Sequence, residues 1–396
     1  MTTTSEREKY TKSLNALGIP RDKDPFPFGP PEQVDYWADN KKILQKIVQT
    51  QIDSMMFASS FIYVLYGPVG GGKTFAVKYL ANPKAQKMIL TSLRRPEFKS
   101  INIQVTAIAP LRTGQLTFSL HKDIVEKCFS AILENEELID IFIRAKQLGV
   151  GKIKAAFGNI KKTVTRSLNG TLGITNLENT EGYKFLTQTR SRLGKLQDVN
   201  ELVETIRILV KILSEKYGRI IISIDELENL RRATGTDRVL CSDFLRKMHD
   251  MIEHDMTLFL IFTLESFEDV AQLLQPALVS RVKESIEFPF VKAKSDVKEY
   301  ITECIAQRCE INPYDIIEEK VIDEISDTLI TNFRGRISFR QINREMYKIF
   351  TNTYICADQP RYKIDSTLYK KAIKYITAED VVKQITEKLA KKGDEK

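Results

Sequence analysis

Residues Gly67-Pro68-Val69-Gly70-Gly71-Gly72-Lys73-Thr74 have the types and spacing to do one kind of chemistry, the holding of a run of phosphates. The glycines let backbone N–H groups converge on an anion with no side chain in the way. Lys73 supplies a cation for the terminal phosphates, and Thr74 supplies a hydroxyl for a divalent cation. Phe75 continues into a helix whose positive N-terminal end faces the same anion. The pattern Gly-x-x-x-x-Gly-Lys-Thr is complete, with a buried-strand pattern before it and a helical one after it. Residues 67–75 are therefore expected to bind ATP with Mg2+.

A second chemical group ends the run Ile220-Ile221-Ile222-Ser223-Ile224-Asp225-Glu226. A strand buried on both faces would deliver two carboxylates at its C-terminal end, where open α/β sheets bind ligands. Asp225 is expected to hold the Mg2+ shell and Glu226 to polarise an attacking water. Phosphoryl transfer asks for such positioning and charge neutralisation more than for covalent chemistry. With Lys73, these residues predict a Mg-dependent hydrolysis of ATP to ADP and phosphate. A small-molecule kinase is disfavoured by the Asp225-Glu226 pair.

The elements that must position these groups can be read from periodicity. Phe61–Tyr66 is a continuous apolar run ending at glycine, the pattern of a buried strand. Further strands are expected at Ile101–Ala109, Ile220–Asp225, Leu258–Leu264 and Ile286–Phe290. Helical patterns separate them at Thr74–Leu80, Thr117–Leu133, Val199–Tyr217 and Ser242–His254, and another helix, Asp39–Met55, comes first. Strands alternating with helices predict a doubly wound parallel α/β sheet. From Lys292 onward only helices are expected, at Ser295–Arg308, Glu318–Asn332, Ser338–Tyr354, Asp365–Tyr375 and Ala378–Lys392. The expected organisation is a proline-crowded tail and linker at 1–35, a nucleotide-binding domain at 36–291, and a helical lid domain with a charged tail at 292–396.

Composition narrows the class. The chain has 396 residues, 28% of them charged, and a formal charge of +8, which favours an anionic partner such as nucleic acid or a membrane surface. No apolar run reaches the roughly 18 residues of a membrane helix, and the polar N-terminus does not read as a secretory signal. The five cysteines lack metal-type spacing and suit reduced thiols in the cytoplasm. An insertion at 144–170 is basic: Arg144 to Arg166 carries Lys146, Lys152, Lys154, Lys161, Lys162 and no acid. It could track nucleic acid, touch anionic lipid, or be a solvated loop.

With these motifs in hand, the chain resembles the AAA+ ATPases. Within them it resembles the initiator-type group of origin-recognition proteins, and it is similar to the ATPases that regulate Tn7-type transposition. The resemblance is carried by GPVGGGKT at 67–74, IIISIDELENL at 220–230, LFLIFTLES at 258–266, LVSRVKESIEFPF at 278–290 and GRISFRQINREM at 335–346. It implies a five-stranded parallel sheet of order 5-1-4-3-2 and a small all-helical lid. It also implies three roles. Thr263, with Ser266 as competitor, would be the polar sensor of the γ-phosphate. Arg281 would be an arginine finger acting on a neighbouring subunit, and Arg340, with Arg336 and Arg344 as competitors, the lid's sensor arginine. Tyr36 and Trp37 match the position that packs on adenine. Initiators usually continue into a winged-helix DNA-binding domain, for which the stretch after residue 355 is too short.

Two functions follow as expectations. One is an ATP-switched homo-oligomer that acts on DNA through phosphate contacts. The other is a signalling or defence ATPase that recruits a separate effector protein. Reversing the charge of Lys161, Lys162 and Arg166 is expected to abolish nucleic-acid binding if the insertion tracks DNA. Unchanged binding in a gel-shift titration would reject that role.

Overall fold

The computed structural model describes residues 4–27, 36–38, 41–57, 59–93, 100–110, 115–135, 137–138 and 199–374. The basic insertion, the expected helix Ala378–Lys392, and Pro30 and Pro31 lie outside the described residues. In chain order the elements begin with α1 (Thr4–Ala16), α2 (Lys41–Met56), β1 (Phe61–Tyr66), α3 (Lys73–Tyr79), α4 (Pro83–Leu93), β2 (Ser100–Thr106) and α5 (Gln115–Leu133). Then come α6 (Val199–Ser214), β3 (Arg219–Asp225), α7 (Gly235–Met251), β4 (Met256–Phe262), α8 (Phe267–Leu273), α9 (Pro276–Val279) and β5 (Val282–Glu287). Next are α10 (Lys294–Cys304), α11 (Pro313–Ile316), α12 (Glu319–Asn332) and α13 (Phe339–Cys356), and residues 366–374 are helical where Asp365–Tyr375 was expected. The described residues fall into two compact units, one of Gln45–Gly67 with Ala76–Glu287, the other of Met1–Leu44, Pro68–Phe75 and Phe288–Lys396.

The first unit is built on a five-stranded sheet of order β2-β3-β4-β1-β5. Every pairing is parallel. This is the order 5-1-4-3-2 read from its other edge. The central strands β3 and β4 are apolar and buried over nearly their whole length, as a sheet covered on both faces requires. Helix α6 shows how the cover forms. Leu202, Val203, Ile206, Leu209, Val210 and Leu213 recur at helical spacing, and all are buried in the core cluster.

Strand β5 begins earlier than the apolar run Ile286–Phe290 suggested, and it ends before Pro289. Proline cannot donate to a ladder, and an edge strand tolerates exposed Lys283 and Glu284. At the amino end of the sheet, Arg219 is buried. It donates to the Thr257 hydroxyl at 2.9 Å and the Met256 carbonyl at 2.7 Å, and also to the carbonyls of His254 and Ser59. Burial pulls its pKa down to about 10, so it stays charged at neutral pH.

The second unit is helical, and it corrects the reading of the N-terminus as a tail. Residues 4–16 form α1, because the proline-dense stretch starts only at Pro20. Gly18, at φ +79°, ends the helix, with the Ile19 N–H bonded back to the Leu14 carbonyl at 2.8 Å. Tyr10 and Leu14 lie one helical turn apart and are buried in the same cluster as Val297, Ile325, Met346 and Phe350. The Tyr10 ring stacks on Tyr347 at 4.1 Å, and the Ser13 hydroxyl donates to the Phe350 carbonyl at 2.6 Å. The apolar stripe of α1 was hidden by its otherwise charged sequence. Among the described residues no helix is long and apolar enough to cross a membrane.

Replacing Tyr10 with Ala is expected to lower stability by about 3 kcal/mol, the loss typical of a buried ring. Urea unfolding measures it. A dangling tail would leave the midpoint unmoved.

Candidate functional site

Parallel pairing sets the geometry of the sheet's carboxyl edge. Tyr66 stands opposite Phe262, so Gly67 and Thr263 emerge side by side from β1 and β4. Asp225 is the last residue of β3, opposite Thr106, and its carbonyl accepts the Ala107 N–H at 2.7 Å. Gly67, Asp225, Glu226 and Thr263, placed apart in sequence, therefore share one edge of one sheet.

The chain turns abruptly after Asp225. Glu226 is exposed and sits at φ 58°, ψ 32°, in the left-handed region. A non-glycine residue there carries roughly 1–2 kcal/mol of strain. Its N–H is accepted by its neighbour's carboxylate, Asp225 Oδ1, at 2.8 Å. The turn is held from two sides. Asn229 donates to the Ala107 carbonyl at 2.7 Å, and Glu228 Oε2 accepts the Thr263 N–H at 3.0 Å. Sequence reasoning missed Glu228 and Asn229, since nothing in their spacing announces a tertiary hydrogen bond. Of the two sensor candidates, Ser266 is occupied as the N-cap of α8: its hydroxyl accepts the Asp269 N–H at 3.1 Å. Thr263 is held instead through its backbone N–H, by Glu228, and caps no helix.

Arg281 lies at the opposite edge. It immediately precedes Val282, which pairs with Ile62 near the start of β1. Its Nε donates to Asp250 Oδ1 at 2.7 Å and its Nη1 to the Ala277 carbonyl at 2.9 Å. Asp250 is partly buried, which opposes ionisation, yet hydrogen bonds from Arg281 and His249 hold its carboxyl below the ordinary range.

In the second unit, residues 68–75 are folded as a tight loop entering α3. Gly71 N–H bonds to the Pro68 carbonyl at 3.2 Å, and the Lys73 ammonium donates to that same carbonyl at 2.8 Å. Lys73 is only 5% exposed, so its charge is held at the loop and not in bulk solvent. Gly70, at φ +75°, is pressed against the start of α13. Its carbonyl accepts the Arg340 N–H at 3.3 Å, and a Cβ at Gly70 would come within 2.4 Å of Arg340 Cβ. Arg340 is thus the arginine against the loop. Arg336 instead lies over the Phe290 ring at 4.9 Å.

The helix that carries Arg340 opens with a capping box, Ser338 and Gln341 bonding reciprocally across its first turn. The helix expected from Ser338 does start there, and the Ser-x-x-Gln signature accounts for it. Tyr36 and Trp37 pack on Phe75, with ring centroids 5.5 and 6.1 Å apart. Arg308 lies over the Tyr36 ring at 5.3 Å.

The residues present fit a magnesium nucleotide in kind. Thr74 and Asp225 offer a hydroxyl and a carboxylate, both hard oxygen donors. Mg2+ bound with phosphates takes one or two carboxylates and draws its other ligands from phosphate and water. Among the described residues no group of three or more His, Cys, Asp or Glu offers a rival metal site.

No protein-family model matches the chain, and no curated protein matches it. Solved structures do. The ORC2 protein of Aeropyrum pernix, in ADPNP-ADP complexes, aligns with 88% of this chain and 70% of its own, at 12% identity and a TM-score of 0.51. Its ADP form aligns at 12% identity over 88% and 71% of the two chains, with a TM-score of 0.50. The Aeropyrum pernix ORC1 protein in complex with DNA aligns at 17% identity over 86% of this chain and 66% of that one, with a TM-score of 0.44. The fold of this chain is that of the AAA+ ATPases. At 12% identity the likeness to the ORC2 structures is one of fold.

Gly70→Ala is expected to cost about 2 kcal/mol, from a left-handed backbone and a Cβ that α13 must yield to. Gly235→Ala, with open space around its Cβ, serves as the control and is expected to be neutral or slightly stabilising. Equal melting temperatures for the two variants would contradict the close approach of Gly70 to Arg340.

Proposed function

We propose that this protein is a Mg-dependent ATPase whose nucleotide state governs its self-assembly and its action on DNA. The observation that carries the reading is the separation of Arg281 from the acidic pair. Asp225, Glu226 and Thr263 lie at the carboxyl ends of β3 and β4 at one edge of the sheet, while Arg281 immediately precedes β5 at the other. A strand of this length spans roughly 17–20 Å, beyond the reach of an arginine side chain along its own sheet. An arginine finger at position 281 therefore serves another copy of the chain, and hydrolysis requires an oligomer.

The roles follow from charge and position. Lys73 and the loop N–H groups of residues 67–74 hold the phosphates, Phe75 with Tyr36 and Trp37 gives the base an apolar wall, and Arg340 ties the lid helix to the loop. Glu226 accepts a hydrogen bond from the attacking water and orients it in line. Thr263, fixed through Glu228, offers its hydroxyl to the terminal phosphate. Thr74 and Asp225 would hold Mg2+, which when bound would supply positive charge against the phosphates. The Arg281 of a neighbour adds positive charge where negative charge grows in the transition state. The DNA part is supported by the net charge of +8, which favours an anionic partner.

Subunit mixing tests this. Glu226→Gln and Arg281→Ala should each bind ATP and lose phosphate release, the second by on the order of 10^3-fold. Mixed together, they should recover part of the wild-type rate, because some interfaces pair an intact Glu226 with an intact Arg281. Normal turnover in Arg281→Ala, or no recovery on mixing, would reject the trans assignment. Absence of duplex binding at both low and moderate salt would remove the DNA part.

A further inference from the structure

The turn after the acidic pair has charges that the proposed hydrolysis leaves unused. Leu227–Arg232 forms one short 3-10 helix, and α7 starts soon after at Gly235. The acids of this segment are committed. Glu228 accepts the Thr263 N–H at 3.0 Å, and buried Asp237 accepts the Thr234 hydroxyl at 2.9 Å. Arg231 and Arg232 are exposed, and neither side chain has an ion-pair or hydrogen-bond partner among the described residues. Arg238 folds beneath them, donating to the carbonyls of Leu230 at 3.0 Å and Arg231 at 3.1 Å, which brings a third positive charge to the same place.

The contrast within the unit matters. Its other described arginines are engaged: Arg207 with Glu204, Arg246 with Asp243, Arg281 with Asp250, and Arg219 with backbone carbonyls. Adjacent guanidinium forks held on a rigid turn, with no carboxylate to satisfy them, match phosphate oxygens in geometry and charge. An anionic bilayer is typically met by larger clusters, of about four to eight basic residues on a juxtamembrane or amphipathic segment. Arg231 and Arg232 on one turn, with Arg238 of α7 beneath them, suit a few successive phosphates of a nucleic-acid backbone.

We propose that Arg231 and Arg232 form a contact to the phosphate backbone of duplex DNA. The identity of the partner rests on the DNA reading given above; the location is new. The contact is independent of base sequence and sensitive to salt. It lies on the segment that begins with Glu226 and, through Glu228, holds Thr263, so DNA would be bound by the same turn that orients the water.

Anisotropy titrations of a labelled duplex, with ATP present and over a range of salt, test the contact in the full chain. The double variant Arg231→Glu with Arg232→Glu should bind on the order of tenfold or more weakly, with a salt slope smaller by about 2, since each phosphate contact contributes about 0.9. The double variant Arg231→Lys with Arg232→Lys should keep most of the binding, and an unchanged melting temperature for both variants shows that the fold is intact. Wild-type affinity and slope in the glutamate variant would overturn this contact while leaving the DNA reading standing. Failure of the wild-type protein to bind duplex at any salt would overturn the DNA reading itself, and the contact with it. Binding to anionic vesicles but not to duplex would overturn it in favour of a lipid surface.

Discussion

The backbone ladders that join β3 to β4, β4 to β1 and β1 to β5 all run in the same sense, and the chemistry depends on that constraint. Parallel pairing fixes the ends of β1, β3 and β4 at a common edge, so Gly67, Asp225 and Thr263 are brought together by hydrogen bonds between main chains. Nothing in those side chains needs to attract the others. The same constraint sends the residue before β5 to the far edge. A sheet of this kind separates an arginine before β5 from an acidic pair after β3 by construction.

Legibility from the sequence followed burial. The strands β1, β3 and β4 are continuous apolar runs and stood out within a residue or two of their observed bounds, because strands covered on both faces leave no room for polar interruption. Edge strand β5 was misplaced by several residues, since half of it faces solvent and its charged residues broke the pattern. The glycine loop after β1 and the acidic residues at the end of β3 were legible as strand ends, because the apolar runs stop at them. Glu228 and Asn229 were not, since their partners Thr263 and Ala107 are distant in sequence and only the folded sheet brings them near.

The N-terminal helix gives a different lesson. Only Tyr10, Leu14 and Leu17 mark its buried stripe, against lysines, glutamates and threonines elsewhere in the segment. A short amphipathic helix whose stability comes from packing on α13 has little signature of its own. Its presence enlarges the helical unit around α13, the same helix whose first turn lies against Gly70. The stiffness of that first turn has two sources, the reciprocal cap of Ser338 and Gln341 and the close backbone approach at Gly70, and only the cap could be seen in advance.

The Arg281–Asp250 pair has a consequence for how such a chain behaves alone. Asp250 is not dependent on that arginine: Arg246 lies 3.4 Å away and His249 3.0 Å away. Were Arg281 to serve another copy as proposed, the carboxylate would keep company and no bare charge would be stranded, so the exchange would avoid the large penalty of breaking an isolated buried pair. On that proposal the pair would be a light latch, holding the guanidinium in a safe orientation while the chain is solitary and releasing it at small cost once a stronger anion is offered.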